Sequence, residues 1–376
     1  MPMGVPEISL IVPLYNAERT IDSLIESIRN QTFDYFEAIF VNDGSTDGCV
    51  EKVADAAIRD DRFRLIMQEN AGPGSARNTG MGAARGRYIM FADCDDELAC
   101  DAMKHAYGRA EDTQADIVVF QARHRDDATG ETCPSPDRWD SDLFPEVFSG
   151  IDCPDRLFSQ FRNWPWDKLF RREFLQRNNL HFPDLYRTED LPFTCEALAL
   201  ANRIALLDEE LYRYRVGNAA SSTQTRDSHP LDFLWACRDF HAFLVDHGLM
   251  ETFRADYTRW IGLCVYVNLV ELRTFTAFHA VFDALKHGGL RDFELLGRED
   301  GEFLEPLHGQ VIRAIDEQDF EHFLFELWRL DADKASAFDS TEAELDSVMN
   351  STSLKVGRAI VSAPRALLGS LFNRCG

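Results

Sequence analysis

Four acidic side chains, Asp93, Asp95, Asp96 and Glu97, follow directly on the apolar run Tyr88–Ala92 in the segment YIMFADCDDELA. Like charges this close repel one another and resist ionisation unless a cation lies among them. Mg²⁺ and Mn²⁺ prefer carboxylate oxygens, and Mg²⁺ usually takes one or two of them together with phosphate oxygens. The segment therefore predicts a site for Mg²⁺ or Mn²⁺ with Asp95 as a ligand. For Asp96, a helix N-terminus that favours acidic residues is the alternative interpretation.

Two further segments carry polar groups that suit a nucleotide. NDGSTDG places Asp43 after an apolar run, where its carboxylate could accept from a ribose hydroxyl or a base N–H, although turn chemistry also explains it. GPGSARN lacks the lysine and spacing of a Walker loop, but Arg77 could bind a diphosphate through two N–H groups. An ordinary salt bridge is the alternative for Arg77. Tyr15 could stack on a base or simply pack.

The segment RTEDLPF adds two carboxylates, Glu189 and Asp190. A carboxylate can act as a general base once partial burial raises its pKa towards neutrality. Acidic residues also commonly begin helices, and EDLPFTCEALALA has the composition of one. The residue types alone leave both interpretations open.

The elements that must position these residues follow from hydrophobic patterning. Short apolar runs alternate with helix-like stretches such as TIDSLIESIRN, whose apolar residues recur at helical spacing. The pattern predicts an α/β fold with a mainly parallel sheet flanked by helices. Ligands of such sheets bind at the carboxyl ends of the strands. The runs end just before the polar segments, so those segments should meet at one edge; the runs are Ile8–Val12, Phe36–Val41, Phe63–Met67, Tyr88–Ala92 and Asp116–Phe120.

Composition narrows the function classes. The formal net charge of -25 argues against a nucleic-acid-binding protein, which normally carries a basic stripe. The nine cysteines are scattered without a C-x-x-C pair, which disfavours zinc and favours a reducing compartment. The first residues lack a basic signal-peptide region, and no apolar run approaches the ~18 residues of a transmembrane helix. We therefore expect a cytoplasmic protein.

The later part of the chain changes character twice. Residues 121–161 are rich in proline and acid, which predicts an insertion or an acceptor-side loop next to the site. After His229 the pattern becomes mostly helical. We expect an α/β domain over residues 1–224, a helical domain over residues 225–350 and a separate tail over residues 351–376.

Four segments taken together resemble the bacterial family-2 glycosyltransferases with the GT-A fold, over about residues 7–216. They are ISLIVPLYNAERTIDSLIESIRNQTF, VNDGSTDG, QENAGPGSARNTGMGAARGRYIMFADCDDE and WDKLFRREFL with TEDLPF. The resemblance implies inverting transfer of a sugar from a nucleoside-diphosphate sugar, with UDP-sugars expected first. It further implies a glycan or lipid-linked acceptor in cell-surface polysaccharide synthesis.

The resemblance also assigns roles residue by residue. It implies that Pro13, Tyr15 and Asp43 contact the nucleoside and that Arg77 lies near the diphosphate. It also implies that Asp93 binds the ribose and Asp95 the metal. Asp190 would then be the catalytic base, with Glu189 and Asp96 as supporting acids. Departures from the family pattern are Asn42 for Asp, Cys94 for Ser and Asp167 for Asn. The last makes any acceptor contact inferred at Asp167 doubtful.

Two other functions fit parts of this pattern. A nucleotidyltransferase would also use acids and a metal, but PLYNAERT is not the basic, glycine-rich loop expected there. A non-catalytic protein that binds sugar nucleotides is disfavoured because Asp95 and Asp190 are both present.

The tail, residues 351–376, carries four basic residues and no acid in an otherwise acidic chain. Drawn as a helix, it gathers basic residues beside a broad apolar face, which predicts contact with an anionic membrane surface. Pro364 should divide it into two short helices. Packing on the protein's own acidic surface or in a homo-oligomer contact is the alternative. With membrane contact, the protein would be peripheral on the inner face of the membrane.

Overall fold

The computed structural model describes residues 5–127, 129–216 and 226–330. The predicted tail at 351–376 therefore lies outside the described residues, as does the end of the predicted helical domain. The strands of the described part are β1 (Ile8–Leu14), β2 (Phe36–Asp43), β3 (Phe63–Gln68), β4 (Tyr88–Phe91), β5 (Glu97–Leu98), β6 (Ile117–Asp126), β7 (Thr132–Pro134), β8 (Val147–Phe148), β9 (Lys168–Arg171) and β10 (Ile204–Val216).

The helices fall into a first set between the strands and a second set after β10. The first set is α1 (Ile21–Arg29), α2 (Cys49–Arg59), α3 (Pro73–Ala83), α4 (Ala102–Thr113), α5 (Leu157–Phe161), α6 (Arg172–Arg177) and α7 (Asp190–Leu200). The second set is α8 (Asp232–Asp246), α9 (Met250–Val270), α10 (Phe275–Ala284), α11 (Leu290–Asp292), α12 (Pro306–Glu317) and α13 (Phe320–Leu330). In the described residues, no helix has both the length and the apolar character needed to cross a membrane.

The strands form one sheet in the order β3-β2-β1-β4-β9-β6-β10-β5, with β7 beside β6 and β8 beside β10. Strands β3, β2, β1 and β4 are parallel neighbours, and β6 is parallel to β10. The short strand β9 runs antiparallel to both β4 and β6, so β4 and β6 point the same way. The predicted α/β fold, a mainly parallel sheet flanked by helices and followed by a helical region, is confirmed.

Alternation along the strands explains how both faces of the sheet are covered. Ile11 and Phe91 point into one hydrophobic cluster, whereas Leu10 and Met90, their chain neighbours, point into the other. Helix α1 covers the second cluster with its buried residues Ile21, Leu24, Ile25 and Ile28, the residues that helical spacing predicts. The first cluster continues without a break into the helices that follow β10. The sheet and the helical region therefore share one core.

One local prediction, the loop that begins at residue 121, and one alternative interpretation, the helix cap at Asp96, do not hold. Residues 121–126 are not part of a loop, because β6 continues through them and pairs along its length with β10. Asp96 does not cap a helix, because β5 begins at Glu97 and the next helix begins only at Ala102. The carboxylate of Asp96 is instead buried and accepts hydrogen bonds from β10.

Candidate active site

The polar segments do meet at one edge of the sheet, because β1 to β4 are parallel and each ends there. The chain adds β2 and then β3 on one side of β1, and it adds β4 on the other side of β1. The strand order therefore reverses between β1 and β4. Ligands of open α/β sheets bind at such a reversal. Tyr15 follows β1 with 52% of its surface exposed, and Asp93 follows β4. Pro13 lies within β1, opposite Val41 of β2, and is partly buried.

Asp43, at the end of β2, shapes the loop that leads into α3. Its Oδ1 accepts from Gln68 Nε2 at 2.8 Å and from the Ala71 N–H at 2.9 Å, while its Oδ2 accepts from the Gly72 N–H at 2.9 Å. Gly72 has a φ of 88°, in the region that favours glycine. A carboxylate oxygen can accept more than one hydrogen bond. Asp43 thus builds the loop and keeps acceptor capacity for the predicted nucleoside contact.

Arg77, on α3, joins two of the predicted carboxylates. Its Nη1 donates to Glu189 Oε1 at 2.5 Å and its Nη2 donates to Asp93 Oδ1 at 2.8 Å, with the Phe182 ring centroid 5.3 Å from the guanidinium. The arginine is only 5% exposed. Burial alone would lower the pKa of Arg77, but Asp93 and Glu189 raise it above its ordinary value. The salt-bridge interpretation of Arg77 therefore describes this structure, and the diphosphate contact stays a prediction.

The acidic segment after β4 is fixed by β10. The Tyr212 hydroxyl accepts from the Asp93 N–H at 3.0 Å and donates to Asp96 Oδ2 at 2.8 Å. Arg215 donates its backbone N–H to Asp96 Oδ1 at 2.7 Å and its Nε–H to the carbonyl oxygen of Asp95, also at 2.7 Å. These contacts hold Asp96 in a supporting position. They also set the backbone from which the partly buried Asp95 side chain extends.

A divalent metal bound to Asp95 would need further oxygen ligands. Within the described residues, no three His, Cys, Asp or Glu side chains come together as a ready-made metal site. Mg²⁺ commonly binds one or two carboxylates and takes its other oxygens from a substrate phosphate and water. Asp95 beside a diphosphate fits that requirement, so the residues present suit a metal that binds with its substrate.

Glu189 and Asp190 begin α7, so the helix-start interpretation is correct for both. Glu189 is also buried, and Asp190 is partly buried. Glu189 is 7% exposed, and burial raises its pKa although Arg77 opposes the change. Burial, followed by the negative charge of Glu189, raises the pKa of Asp190 to about 7, against the opposing influence of Arg77 and of the Asn163 side chain. A carboxyl group with a pKa near 7 can both accept and release a proton near neutral pH.

Comparison with known proteins assigns the family. The sequence model of Glycosyl transferase family 2 matches residues 9–203. The chain belongs to glycosyl transferase family 2. It is 30% identical over 298 residues to "Putative glycosyltransferase EpsH" of Bacillus subtilis (strain 168), covering 77% of this chain and 83% of that protein. It is 38% identical over 212 residues to "Uncharacterized glycosyltransferase EpsJ" of the same organism, covering 56% and 61%.

A solved structure supports the fold of this family-2 glycosyltransferase. The crystal structure of S. aureus TarS 1-349 in complex with UDP matches with a TM-score of 0.62 at 22% identity, over 82% of this chain and 88% of that one. The same TarS fragment in complex with UDP-GlcNAc matches with a TM-score of 0.61 at 22% identity, over 82% and 88%.

Three residues of this family-2 site escaped the sequence analysis: Asn163, Lys168 and Tyr212. Each of these residues acts through a partner that is distant in the chain or through its burial. Residue type alone reveals neither the distant partner nor the burial. The run NWPWDK, dense in tryptophan around one amide and one lysine, is the signal that could have drawn attention to Asn163 and Lys168. Tyr212 lies in β10, where apolar and polar residues alternate as in many strands. The sequence around Tyr212 therefore gives no such signal.

Proposed function

We propose that this family-2 glycosyltransferase moves a sugar from a nucleoside-diphosphate sugar to an acceptor hydroxyl with inversion at the anomeric carbon. The observation that carries the proposal is the partly buried Asp190 carboxyl, whose pKa is raised to about 7, next in sequence to Glu189 of the network that Arg77 forms with Asp93 and Glu189. Inverting transfer in one displacement needs a general base at the acceptor hydroxyl. Asp190 has the chemistry for that role.

In this mechanism the acceptor oxygen attacks the anomeric carbon as its proton passes to Asp190. The bond between that carbon and the diphosphate oxygen breaks, and the nucleoside diphosphate leaves with the bonding electrons. Tyr15, Pro13 and Asp43 would hold the nucleoside, Asp93 the ribose, and Arg77 would contribute positive charge near the diphosphate. Bound Mg²⁺ or Mn²⁺, held by Asp95, would supply charge neutralisation at the leaving phosphate.

The proposed donor is a UDP-sugar, because the TarS fragment with the same fold binds UDP and UDP-GlcNAc. The proposed acceptor is a glycan or a lipid-linked saccharide in cell-surface polysaccharide synthesis. A glycolipid acceptor is consistent with the predicted membrane contact of residues 351–376, which lie outside the described residues.

The test is release of nucleoside diphosphate from a panel of UDP-, GDP- and dTDP-sugars, with water as the acceptor. We expect release with at least one donor in Mg²⁺ or Mn²⁺ and loss of release in EDTA. NMR of the freshly released sugar should show the anomer opposite to that of the donor, which establishes inversion. If no donor is turned over but a sugar nucleotide binds, the non-catalytic alternative is correct.

The metal assignment has its own variant. Asp95→Ala should reduce nucleotide release by about a hundredfold or more, because the leaving group loses its charge neutralisation. Thermal unfolding of the variant should match that of the unchanged chain. Near-normal activity of Asp95→Ala at limiting Mn²⁺ would contradict the role of Asp95.

A further inference from the structure

The run NWPWDK, residues 163–168, contributes to a stack of aromatic rings at the active edge of the sheet. The ring of Trp166 stacks on Trp164 at 4.8 Å, on Tyr212 at 4.5 Å and on Tyr214 at 5.5 Å, with angles of 14°, 16° and 15° between the ring planes. The two tyrosines are two residues apart in β10, so they point to the same side of the sheet and cover one face of Trp166. The other face of Trp166 is left to Trp164, the outermost ring of the stack.

Exposure to water increases along this stack. Tyr212 is fully buried, Trp166 is 4% exposed, and Trp164 is partly exposed. The inner face of the Trp164 ring is therefore packed, while its outer side offers a flat apolar surface to water. Aromatic surfaces of this kind line the sites at which proteins bind small molecules.

The backbone of Trp164 is held in place from two directions. The next residue is Pro165, whose ring restricts Trp164 to extended backbone conformations. The carbonyl oxygen of Trp164 accepts from Lys168 Nζ at 2.8 Å. The same fully buried ammonium donates to Phe161 O at 2.9 Å and to Asp167 Oδ1 at 2.6 Å, which uses all three of its N–H groups. The outer ring is thus in position before a ligand binds, which reduces the entropy lost on binding.

The stack lies beside the acidic segment after β4, on the side away from the predicted nucleoside contacts. Leu169 of β9 is opposite Met90 of β4, and the two strands are antiparallel, so the residues before β9 pass beside those after β4. The Tyr212 hydroxyl accepts from the Asp93 N–H at 3.0 Å, which brings the inner end of the stack to the same turn. The predicted nucleoside contacts come from β1 and β2, on one side of β4, whereas Trp164 precedes β9, on the other side.

We propose that the exposed side of Trp164 binds a pyranose ring of the acceptor saccharide. One face of a pyranose presents mainly C–H groups, which pack on an indole ring as an apolar surface, while the hydroxyl groups around the sugar ring stay available. A sugar stacked in this way keeps a hydroxyl free for the transfer reaction. This inference rests on the proposed function and adds to it a residue that binds the acceptor.

The test is saturation-transfer NMR of the full chain in the absence of a donor. The probes are methyl β-D-glucopyranoside, methyl β-D-galactopyranoside and methyl N-acetyl-β-D-glucosaminide. With at least one of them, the C–H protons on one face of the sugar should receive the most saturation, because that face contacts the indole ring. The signal should be lost in Trp164→Ala and largely kept in Trp164→Phe, which retains an aromatic face.

A second measurement does not depend on the alanine variant, which loses a packed ring and could be unstable. The indole N–H signal of Trp164 in the ¹⁵N-labelled chain is assigned by its absence from Trp164→Phe. This signal should shift when the glycoside that binds is added. Thermal unfolding of each variant shows whether a lost signal reflects loss of the fold.

The matched control is Trp235 on α8, which is 53% exposed and has the Arg238 guanidinium 5.0 Å from its ring centroid. Trp235→Ala should leave the glycoside signal unchanged. Equal signals in the unchanged chain and in a folded Trp164→Ala variant, or no signal with any of the three glycosides, would overturn the proposal. Loss of the glycoside signal in excess UDP would also overturn it, because the ring would then bind the nucleoside.

Nucleotide release gives the functional counterpart of this binding test. With the bound glycoside as acceptor, its KM should rise about three- to tenfold in Trp164→Ala, because one aromatic contact is lost. The KM for the donor should stay constant, whereas a general loss of structure would change both. Absence of nucleotide release from the unchanged chain would contradict the proposed function alone, since glycoside binding at Trp164 is measured without a donor.

Discussion

At the scale of single residues, Asp93, Asp96 and Glu97, which follow β4, have ion-pair or hydrogen-bond partners within the protein. Arg77 pairs with Asp93, and Tyr212 with the Arg215 backbone satisfies Asp96. Glu97 lies against Arg125 and Arg213 from neighbouring strands. A metal ion therefore does not need to neutralise the whole cluster. In the proposed function, its contact with this segment is through Asp95.

Asp190 should make the protein less stable as the pH rises. Its pKa is raised from 3.8 to about 7 on folding, so between these values the folded chain holds a proton that the unfolded chain has lost. Stability falls with pH wherever the folded state binds more protons. Asp190→Asn removes this effect and should be more stable than the unchanged chain by at most about 4 kcal/mol at pH 8.

Urea unfolding at several pH values measures this difference. The advantage of Asp190→Asn should shrink as the pH falls and disappear well below the unfolded-state pKa of 3.8, where Asp190 is protonated in both the folded and the unfolded chain. Asp112→Asn, at an exposed position on α4, is the matched control and should run parallel to the unchanged chain. If Asp190→Asn is no more stable at pH 8, the carboxyl group is not held at a raised pKa.

At the scale of elements, the position of Arg77 depends on how closely α3 approaches β1. Gly80 lies one turn after Arg77 on the same helix, and a Cβ at Gly80 would stand 2.4 Å from Ile11 Cγ2. The branched side chain of Ile11 is fully buried and has little room to move. Because Gly80 has no side chain, α3 can pack close to β1. This close packing determines where the Arg77 side chain lies.

Gly80→Ala should destabilise the protein by about 1–3 kcal/mol through overpacking, and should weaken UDP binding because α3 is displaced. Gly82 is the control on the same helix, since a Cβ there meets no atom within 4 Å. Gly82→Ala should raise stability by about 0.5–1 kcal/mol through helix propensity. Urea unfolding and calorimetric titration with UDP distinguish the two. Equal effects at both positions would mean that the contact with Ile11 is not tight.

The elements that could be predicted from the sequence are those marked by a pattern of neighbouring residues. β1 to β4 and α1 follow from continuous apolar runs and a 3.6-residue period, and the strand ends placed Asp43, Asp93 and Asp95 at the correct edge. β9 could not be predicted, because its four residues begin with Lys168 and pair with strands far away in sequence. A lysine is normally a surface residue, and its burial here becomes intelligible only with three acceptors in place.

At the scale of the whole molecule, the helical region and the sheet depend on each other. Leu191 and Leu198 of α7 belong to the same core cluster as Phe233 and Phe240 of α8. Asp256 of α9 accepts from the backbone N–H groups of Phe158 and Ser159, at the start of α5. The helices after β10 therefore complete the core against which α7, the helix that begins at Asp190, packs.

A chain cut after residue 224, at the predicted domain boundary, should for this reason fail to fold stably. It would expose the apolar face of α7, and we expect aggregation or binding of a hydrophobic dye. A chain cut after residue 330 retains all the described elements of the shared core and should unfold cooperatively. A folded, monomeric 1–224 fragment would show that the two regions are independent domains.

The tail gives a second prediction at this scale. Removal of residues 351–376 should abolish co-sedimentation with anionic vesicles and leave nucleotide release unchanged. The attraction should be strongest at low salt, because ionic screening weakens it. A full-length chain that ignores anionic vesicles at low salt would leave packing on the protein, or an oligomer contact, as the role of the tail.

The reversed direction of β9 has a consequence for engineering. Because β9 runs against its neighbours, its first residue, rather than its last, lies at the active edge of the sheet. The loop that enters it can therefore be exchanged between relatives while the four parallel strands of the nucleotide side stay untouched. If this loop contacts the acceptor of the proposed function, a chimera that takes residues 162–167 from another transferase and keeps the lysine at 168 should alter which hydroxyl is glycosylated and leave the donor sugar unchanged.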